Sequence, residues 1–146
     1  MIYLIKDGNI FESKCQTIVN AINCIGIMGK GIALKFKQEY PEMYNDYKQK
    51  CYKKQVKLGV PYLYKVNDNK FILNFPTKYH WKDNSNLNDI ENGIKYMIDN
   101  KEEFNFQSIS IPALGCGLGS LKFDDVKDIL MKLKVLDIPI EIYYPK

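Results

Sequence analysis

Asn20-Ala21-Ile22-Asn23-Cys24-Ile25-Gly26-Ile27-Met28-Gly29-Lys30-Gly31 is the stretch on which the fold turns. The apolar run Thr17–Ile22 feeds a glycine-rich loop, and a helical period carrying Ile32, Ala33 and Phe36 begins near Lys30. The order is strand, loop, helix. Late in the chain, Pro112-Ala113-Leu114-Gly115-Cys116-Gly117-Leu118-Gly119-Ser120-Leu121 has the same sense. It follows the apolar run Ser108–Pro112 and precedes a helical period at Phe123, Val126, Leu130 and Leu133. Six of the nine glycines lie in these two stretches, which marks them as special. Glycine lets backbone N–H groups turn inward with no Cβ in the way. A helix N-terminus behind such a loop attracts an anion. The same glycines would also suit plain tight turns. Their repeated placement, after a strand and before a helix, favours a pair of phosphate cradles able to clamp a diphosphate.

Standard nucleotide motifs do not fit. Gly26-Ile-Met-Gly-Lys-Gly lacks the P-loop spacing, and no hydroxyl follows Lys30. Gly115-Cys-Gly-Leu-Gly is not G-x-G-x-x-G and comes late in the chain rather than after the first strand. The 21 basic residues are all lysine. Without arginine, a phosphate must be held by backbone N–H groups, helix N-termini and point-charge lysines. Lysine, asparagine and isoleucine are all abundant, so genome composition explains the net charge of +4 as well as nucleic-acid binding does.

Further strands are expected at Ile2–Ile5, Val60–Val66, Phe71–Phe75 and Ile140–Tyr144. The turn-rich Asn67-Asp68-Asn69-Lys70 makes the middle two an antiparallel hairpin. Helical spacing recurs at Leu87, Ile90, Ile94 and Met97, behind the capping candidates Ser85 and Asn86. Pro41 ends or redirects the helix begun near Lys30, and another follows with Met43, Tyr47 and Cys51. Strands alternating with helices predict an α/β fold: a mixed central sheet covered on both faces, with ligands at the strand C-terminal ends.

A chain of 146 residues suits one domain with a real core. No apolar run approaches the ~20 residues needed to span a bilayer. Met1–Gly8 is too soon charged for a signal peptide and reads as a first strand. Cys15, Cys24, Cys51 and Cys116 show no C-x-x-C spacing, and His80 stands alone, so no metal site is expected. The thiols read as reduced, the location as cytoplasmic and the state as a monomer.

Asn20 and Asn23 sit where the second strand ends. Their amides can orient ribose hydroxyls, or serve local turn bonding, as asparagine often does.

Here the sequence resembles a known family. Asn20–Lys37 looks like the first ligand loop and helix of a macrodomain, and Pro112–Gly119 resembles its diphosphate loop. Asn74-Phe-Pro-Thr-Lys-Tyr-His-Trp-Lys resembles one branch: the DarG antitoxins, which remove ADP-ribose from DNA, and terminal ADP-ribose glycohydrolase. The resemblance implies a single macrodomain over residues 1–146, a three-layer α/β/α sandwich that binds ADP-ribose and uses no cofactor. By the same resemblance, Gly8-Asn9-Ile10 stands where the family's Gly-Asp-Ile/Leu recognises adenine, with Asn9 and Ile10 as contacts. Asn23 would contact the distal ribose, Gly29 and Gly31 would shape the loop around it, and Asn20, Met28, Lys30 and Thr77 would be further ADP-ribose-binding residues. Gly115, Cys116, Gly117, Leu118 and Gly119 would face the diphosphate. Tyr143 or Tyr144 would pack on adenine or belong to the core or rim.

Lys78 carries the implied catalysis, at the anomeric carbon of the distal ribose. An amine nucleophile can trap the positive charge that develops there, provided its proton is lost. The protein-directed glycohydrolase has an aspartate where this chain has Gly119, which moves the expectation toward DNA. His80 and Trp81 match the DNA-directed relatives. Trp81 or Tyr79 would stack on a single-stranded base or simply pack, and His80 would act as acid/base or as a structural hydrogen-bonder. The function implied is removal of ADP-ribose from a nucleobase, thymidine above all, with single-stranded DNA as substrate. The alternatives are hydrolysis of Glu- or Asp-linked ADP-ribose on protein or of O-acetyl-ADP-ribose, a non-catalytic ADP-ribose reader, and a plain nucleic-acid-binding domain. A cognate ADP-ribosyltransferase toxin is the implied partner.

Overall fold

A computed structural model describes residues 1–146. The strands are β1 (Ile2–Ile5), β2 (Thr17–Asn23), β3 (Tyr62–Asn67), β4 (Lys70–Lys78), β5 (Ile109–Ile111) and β6 (Ile140–Tyr143). The helices are α1 (Gly31–Glu39), α2 (Pro41–Tyr52), α3 (Leu87–Asp99), α4 (Lys101–Phe104) and α5 (Phe123–Leu130), with 3-10 turns at Ile10–Glu12 and Met131–Leu136. The six strands form one sheet in the order β1-β6-β5-β2-β4-β3. Every pairing is parallel except the β3–β4 hairpin. The C-terminal ends of β1, β2, β4, β5 and β6 therefore open on one edge, where a ligand is expected in such sheets.

Successive strand residues feed opposite layers, as the period of two requires. Ile18, Ile22 and Ile72 pack on Phe36 of α1 and on Met43 and Tyr47 of α2. Val19, Leu73 and Phe75 pack on Ile90, Ile94 and Met97 of α3 and on Val126 and Leu130 of α5. Each such side chain, fully buried, contributes roughly 1.5–3 kcal/mol. Gly93 lets α3 approach closely, because a Cβ there would run into the ring of Phe75.

Most expected elements form with shifted ends. The third strand begins at Tyr62 rather than Val60, because Pro61 interrupts it and Val60 instead bridges to Lys57. The fourth runs on through Pro76 to Lys78. Proline is tolerated there because the last β3 pair is Tyr62–Asn74, so β4 is an edge on that flank. Of the two capping candidates, Asn86 is the cap: its Oδ1 accepts the Asn88 N–H at 2.8 Å. The last helical period tightens into 3-10 geometry after Leu130. No helix is long and apolar enough to cross a membrane, and the four cysteines are free.

A polar ladder crosses the α1/α2 face of the sheet. Asn20 Nδ2 donates to Asn74 Oδ1 at 3.1 Å, and Asn74 Nδ2 donates to Tyr62 Oη at 3.2 Å. Both asparagines are fully buried, on paired positions of β2 and β4.

Candidate active site

Three segments meet at the open edge of the sheet. The loop after β2 is held from within by Asn23. Its Nδ2 donates to Ile27 O at 2.7 Å, and its Oδ1 accepts the Ile25 N–H at 3.1 Å and the Ile27 N–H at 3.4 Å. Tyr47 Oη of α2 lies 2.9 Å from Asn23 O and 2.8 Å from Asn23 Oδ1, donating to one or the other. Burial pushes the Tyr47 phenol well up, so it stays a donor. Tyr44 Oη donates to Gly26 O at 3.3 Å. The loop then enters α1 at Lys30, which supplies no side-chain cap. The N–H groups from Met28 to Gly31 donate to no other group in the protein, so the positive end of α1 faces outward.

The loop after β5 holds its amides open in another way. The N–H groups of Gly115, Gly117, Leu118 and Gly119 have no acceptor within the protein, whereas Cys116 N–H closes a turn onto Ala113 O at 3.2 Å. Gly115 takes a φ of +74°, which a side chain rarely adopts. Gly117 is open, with nothing within 4 Å of a would-be Cβ. Gly119 is the reverse: a Cβ there would strike Ser85 Oγ and come within 2.6 Å of Gly115 O. Burial pushes the Cys116 thiol up to about 11, so it is protonated and a poor nucleophile at neutral pH.

The segment after β4 bridges the two loops. Cys24 N–H donates to Tyr79 O at 2.8 Å on one side, and Ser85 N–H donates to Gly119 O at 2.9 Å on the other. Ser120 Oγ donates to Asn84 Oδ1 at 3.2 Å. Lys78 stands at the start of this bridge. An extra residue in β4 sets Lys78, not Thr77, beside Asn23. The Lys78 side chain is half-buried, and no carboxylate lies within ion-pair distance of it. Burial lowers its pKa from the ordinary lysine value, and the charge of Asp83 partly opposes this.

His80 is a turn residue. Its Nδ1 accepts the Lys82 N–H at 3.1 Å, and its own N–H donates to Asp83 Oδ2 at 3.0 Å. Trp81 is 42% exposed and Tyr79 61%, so both rings have free surface at the rim. Asn9 is exposed, but its Oδ1 accepts the Phe11 N–H at 3.0 Å and caps the turn Ile10–Glu12. Tyr143 is buried with its Oη donating to Glu141, and Tyr144 packs on Phe123 at the rim.

Several expected contacts are interior. Ile10, Asn20, Met28 and Thr77 are buried, with little or no side-chain surface open in this arrangement. Asn20 belongs to the amide ladder, and Thr77 Oγ1 donates to Ile22 O at 3.4 Å. These residues support the loops from below. Asn23 is also committed to its own loop, the local turn bonding that was the alternative to ribose contact. Sequence reasoning missed Tyr47 and Ser85. The first reads only as an apolar helix position, and the second as a helix cap.

The Macro domain family model matches residues 19–130, the stretch that includes both glycine loops and Lys78. The chain belongs to the macrodomain family. A Mycobacterium tuberculosis protein named DNA ADP-ribosyl glycohydrolase is 37% identical over 94% of this chain and 41% of its own length. The solved macrodomain of Mycobacterium tuberculosis DarG superposes with a TM-score of 0.92 at 36% identity, over 100% of this chain and 99% of that one. Thermosipho africanus DarTG, solved in complex with ADP-ribose, gives a TM-score of 0.90 at 36% identity, over 98% of this chain and 42% of that one. This macrodomain thus spans about two-fifths (41%) of the length of the curated relatives that it matches over nearly all of its own. No group of three or more His, Cys, Asp or Glu side chains gathers to hold a metal.

Proposed function

We propose that this macrodomain binds ADP-ribose between the loop at Asn23–Gly31 and the loop at Gly115–Gly119, and hydrolyses its bond to a base of DNA, with thymine as the preferred base. The observation that carries the reading is Lys78: a partly desolvated amine, without an ion-pair partner, beside Asn23 and between two loops of unspent N–H groups. The open amides suit the diphosphate, in a chain that has no arginine to bind it. The distal ribose then lies toward Lys78.

Neutral Lys78 Nζ bonds to the anomeric carbon as the bond to the base nitrogen breaks; the electron pair leaves with the base, which takes up a proton from solvent as the alkylated amine gives one up. Water then attacks the same carbon, releasing ADP-ribose and restoring the amine. Gly119 supports the DNA reading, since Ser85 already fills the space a side chain would need there and leaves this position without a carboxylate. Tyr79 and Trp81 offer exposed rings for a base. The named relatives support the same substrate, and the Thermosipho africanus fusion joins a DNA ADP-ribosyl transferase to a glycohydrolase. The partner proposed here is accordingly an ADP-ribosyltransferase toxin that makes the modification this chain removes.

The deciding assay gives ADP-ribosylated thymidine oligonucleotide to the wild type and to Lys78→Ala, with ADP-ribosylated protein run in parallel. Turnover of the oligonucleotide should fall on the order of 1,000-fold in the variant, with ADP-ribose affinity within about threefold. Undiminished removal would overturn the mechanism, and release from protein alone would overturn the substrate. The wild-type rate should rise with pH as Lys78 loses its proton. Asp83→Asn removes the charge that holds this pKa up, so the rising limb should move to lower pH.

A further inference from the structure

Beyond the ADP-ribose cleft, α2 carries a stripe that the site does not use. Tyr44, Lys48 and Tyr52 follow one another at four-residue spacing on one face of the helix. The stripe starts at the first glycine loop, where Tyr44 Oη donates to Gly26 O and a Cβ on Gly26 would lie 3.7 Å from Lys48 Cγ. It ends about 12 Å away, at 1.5 Å per residue, on Tyr52, whose side chain is 89% exposed.

Lys37 of α1 lies 4.5 Å over the Tyr44 ring, and Lys48 approaches the same ring at 5.8 Å. Lys48, Tyr52 and Lys53 join Asn45 and Gln49 around an open hollow of about 450 Å³. Lys37, Lys48 and Lys53 have no carboxylate within ion-pair distance, whereas Lys50 on the neighbouring flank is paired with Asp46 at 3.8 Å. The helix's own acids, Glu42 and Asp46, stand close enough to Tyr64 of β3 to help burial push its phenol up, so they face away from the stripe.

Unpaired cations flanking one exposed ring, Tyr52, and one half-buried ring, Tyr44, offer what a single-stranded nucleic acid needs: charge for the backbone and a flat face for a base. The stripe is also continuous with the rim that holds the other exposed rings. Loop residue Cys24 is bonded to Tyr79, and Gly26 lies against α2.

We infer that the Tyr44–Lys48–Tyr52 stripe, with Lys37 and Lys53 beside it, binds the single-stranded DNA flanking the modified nucleotide. This rests on the proposal that the substrate is ADP-ribosylated DNA. The stripe extends recognition from one nucleotide to a segment of strand, so an oligonucleotide is a better substrate than a mononucleoside.

The test uses Lys37→Gln/Lys48→Gln/Lys53→Gln and, separately, Tyr52→Ala. ADP-ribosylated thymidine and an ADP-ribosylated thymidine-containing oligonucleotide serve as substrates, and an unmodified oligothymidine as binding probe. The triple variant should raise KM for the oligonucleotide about tenfold and leave the mononucleoside within twofold. In anisotropy titrations of the unmodified probe, the slope of log affinity against log salt should fall by roughly 2, at about 0.7 per lost phosphate contact. Tyr52→Ala should weaken the probe about fivefold or more. Equal loss on both substrates would show damage to the cleft and overturn the inference, as would unchanged probe affinity. If the wild type releases ADP-ribose from neither DNA substrate, the substrate proposal fails, and the probe titrations still decide whether the stripe binds single strands.

Discussion

The loop after β2 is tied down by side chains from two directions, whereas the loop after β5 is shaped by its own turns and by the chain behind it. Asn23 fills the first loop with hydrogen bonds, and Tyr47 fastens Asn23 in turn. In the second, the side-chain bond within Gly115–Gly119 is a weak one, from the Cys116 thiol to Leu114 O at 3.6 Å. Behind that loop stands Ser85, buried, its hydroxyl without a partner. The first loop is therefore preformed, its geometry fixed at the level of individual amides. The second leaves four N–H groups unspent and is kept in place by exclusion: Gly119 fits only because it has no side chain. A site can thus hold two anion cradles of similar composition by different physics: the first is pinned by side chains and leaves the N–H groups of Met28 to Gly31 open, and the second is kept in place by exclusion.

The strongest way to break this comparison is Gly117→Glu. Nothing lies within 4 Å of a Cβ at that position, so the fold should keep its Tm. The carboxylate would meet the diphosphate at the open amides, and calorimetry should show ADP-ribose affinity down on the order of 100-fold or more. Retained affinity would mean that this loop does not hold the diphosphate.

Gly119→Ala should do the opposite. It should cost about 1–3 kcal/mol of stability by overpacking, read as a lower denaturation midpoint. Adding Ser85→Gly should recover part of that loss, because the serine is one of the two obstacles and Gly115 O is the other. No recovery would show that the interlock with Ser85 is not what makes glycine necessary.

Tyr47→Phe should have the smallest effect. It removes the hydroxyl behind Asn23 and should cost about 1–2 kcal/mol, with faster amide exchange confined to residues 23–28. Protection in the second loop should not change.

The two loops also differ in how far they could be read in advance. Both stand out as glycine runs between a strand and a helix, and the strands themselves follow from apolar runs such as Thr17–Ile22 and Ile140–Tyr144. Pro41 and the Asn67–Lys70 turn marked their boundaries because each acts locally on the backbone. What could not be read depends on contacts between distant residues. Ser85 before a helix looks like a cap, and only the packing of one loop on another shows it facing Gly119. Tyr47 keeps helical step with Met43 and Cys51, so its ring was predictable as core but not the errand of its hydroxyl. Asn20, put near the ligand by the family resemblance, is fully buried, and its amide bonds across to Asn74 on the neighbouring strand.

That last bond has a consequence for how the chain finds its native pairing. Parallel strands have no hairpin to set their frame, and the hydrocarbon side chains around Asn20 and Asn74 would tolerate a shift in step. The amides would not. One step either way would set Asn20 beside Leu73 or Phe75, whose side chains point to the other face, and strand both amides in hydrocarbon at roughly 1–3 kcal/mol each. The ladder works as a reading-frame mark for β2 and β4. Three residues beyond Asn20 on β2 and four beyond Asn74 on β4 stand Asn23 and Lys78, so the mark that keeps two strands in step also decides that an amine, rather than a threonine or a tyrosine, arrives beside the first loop.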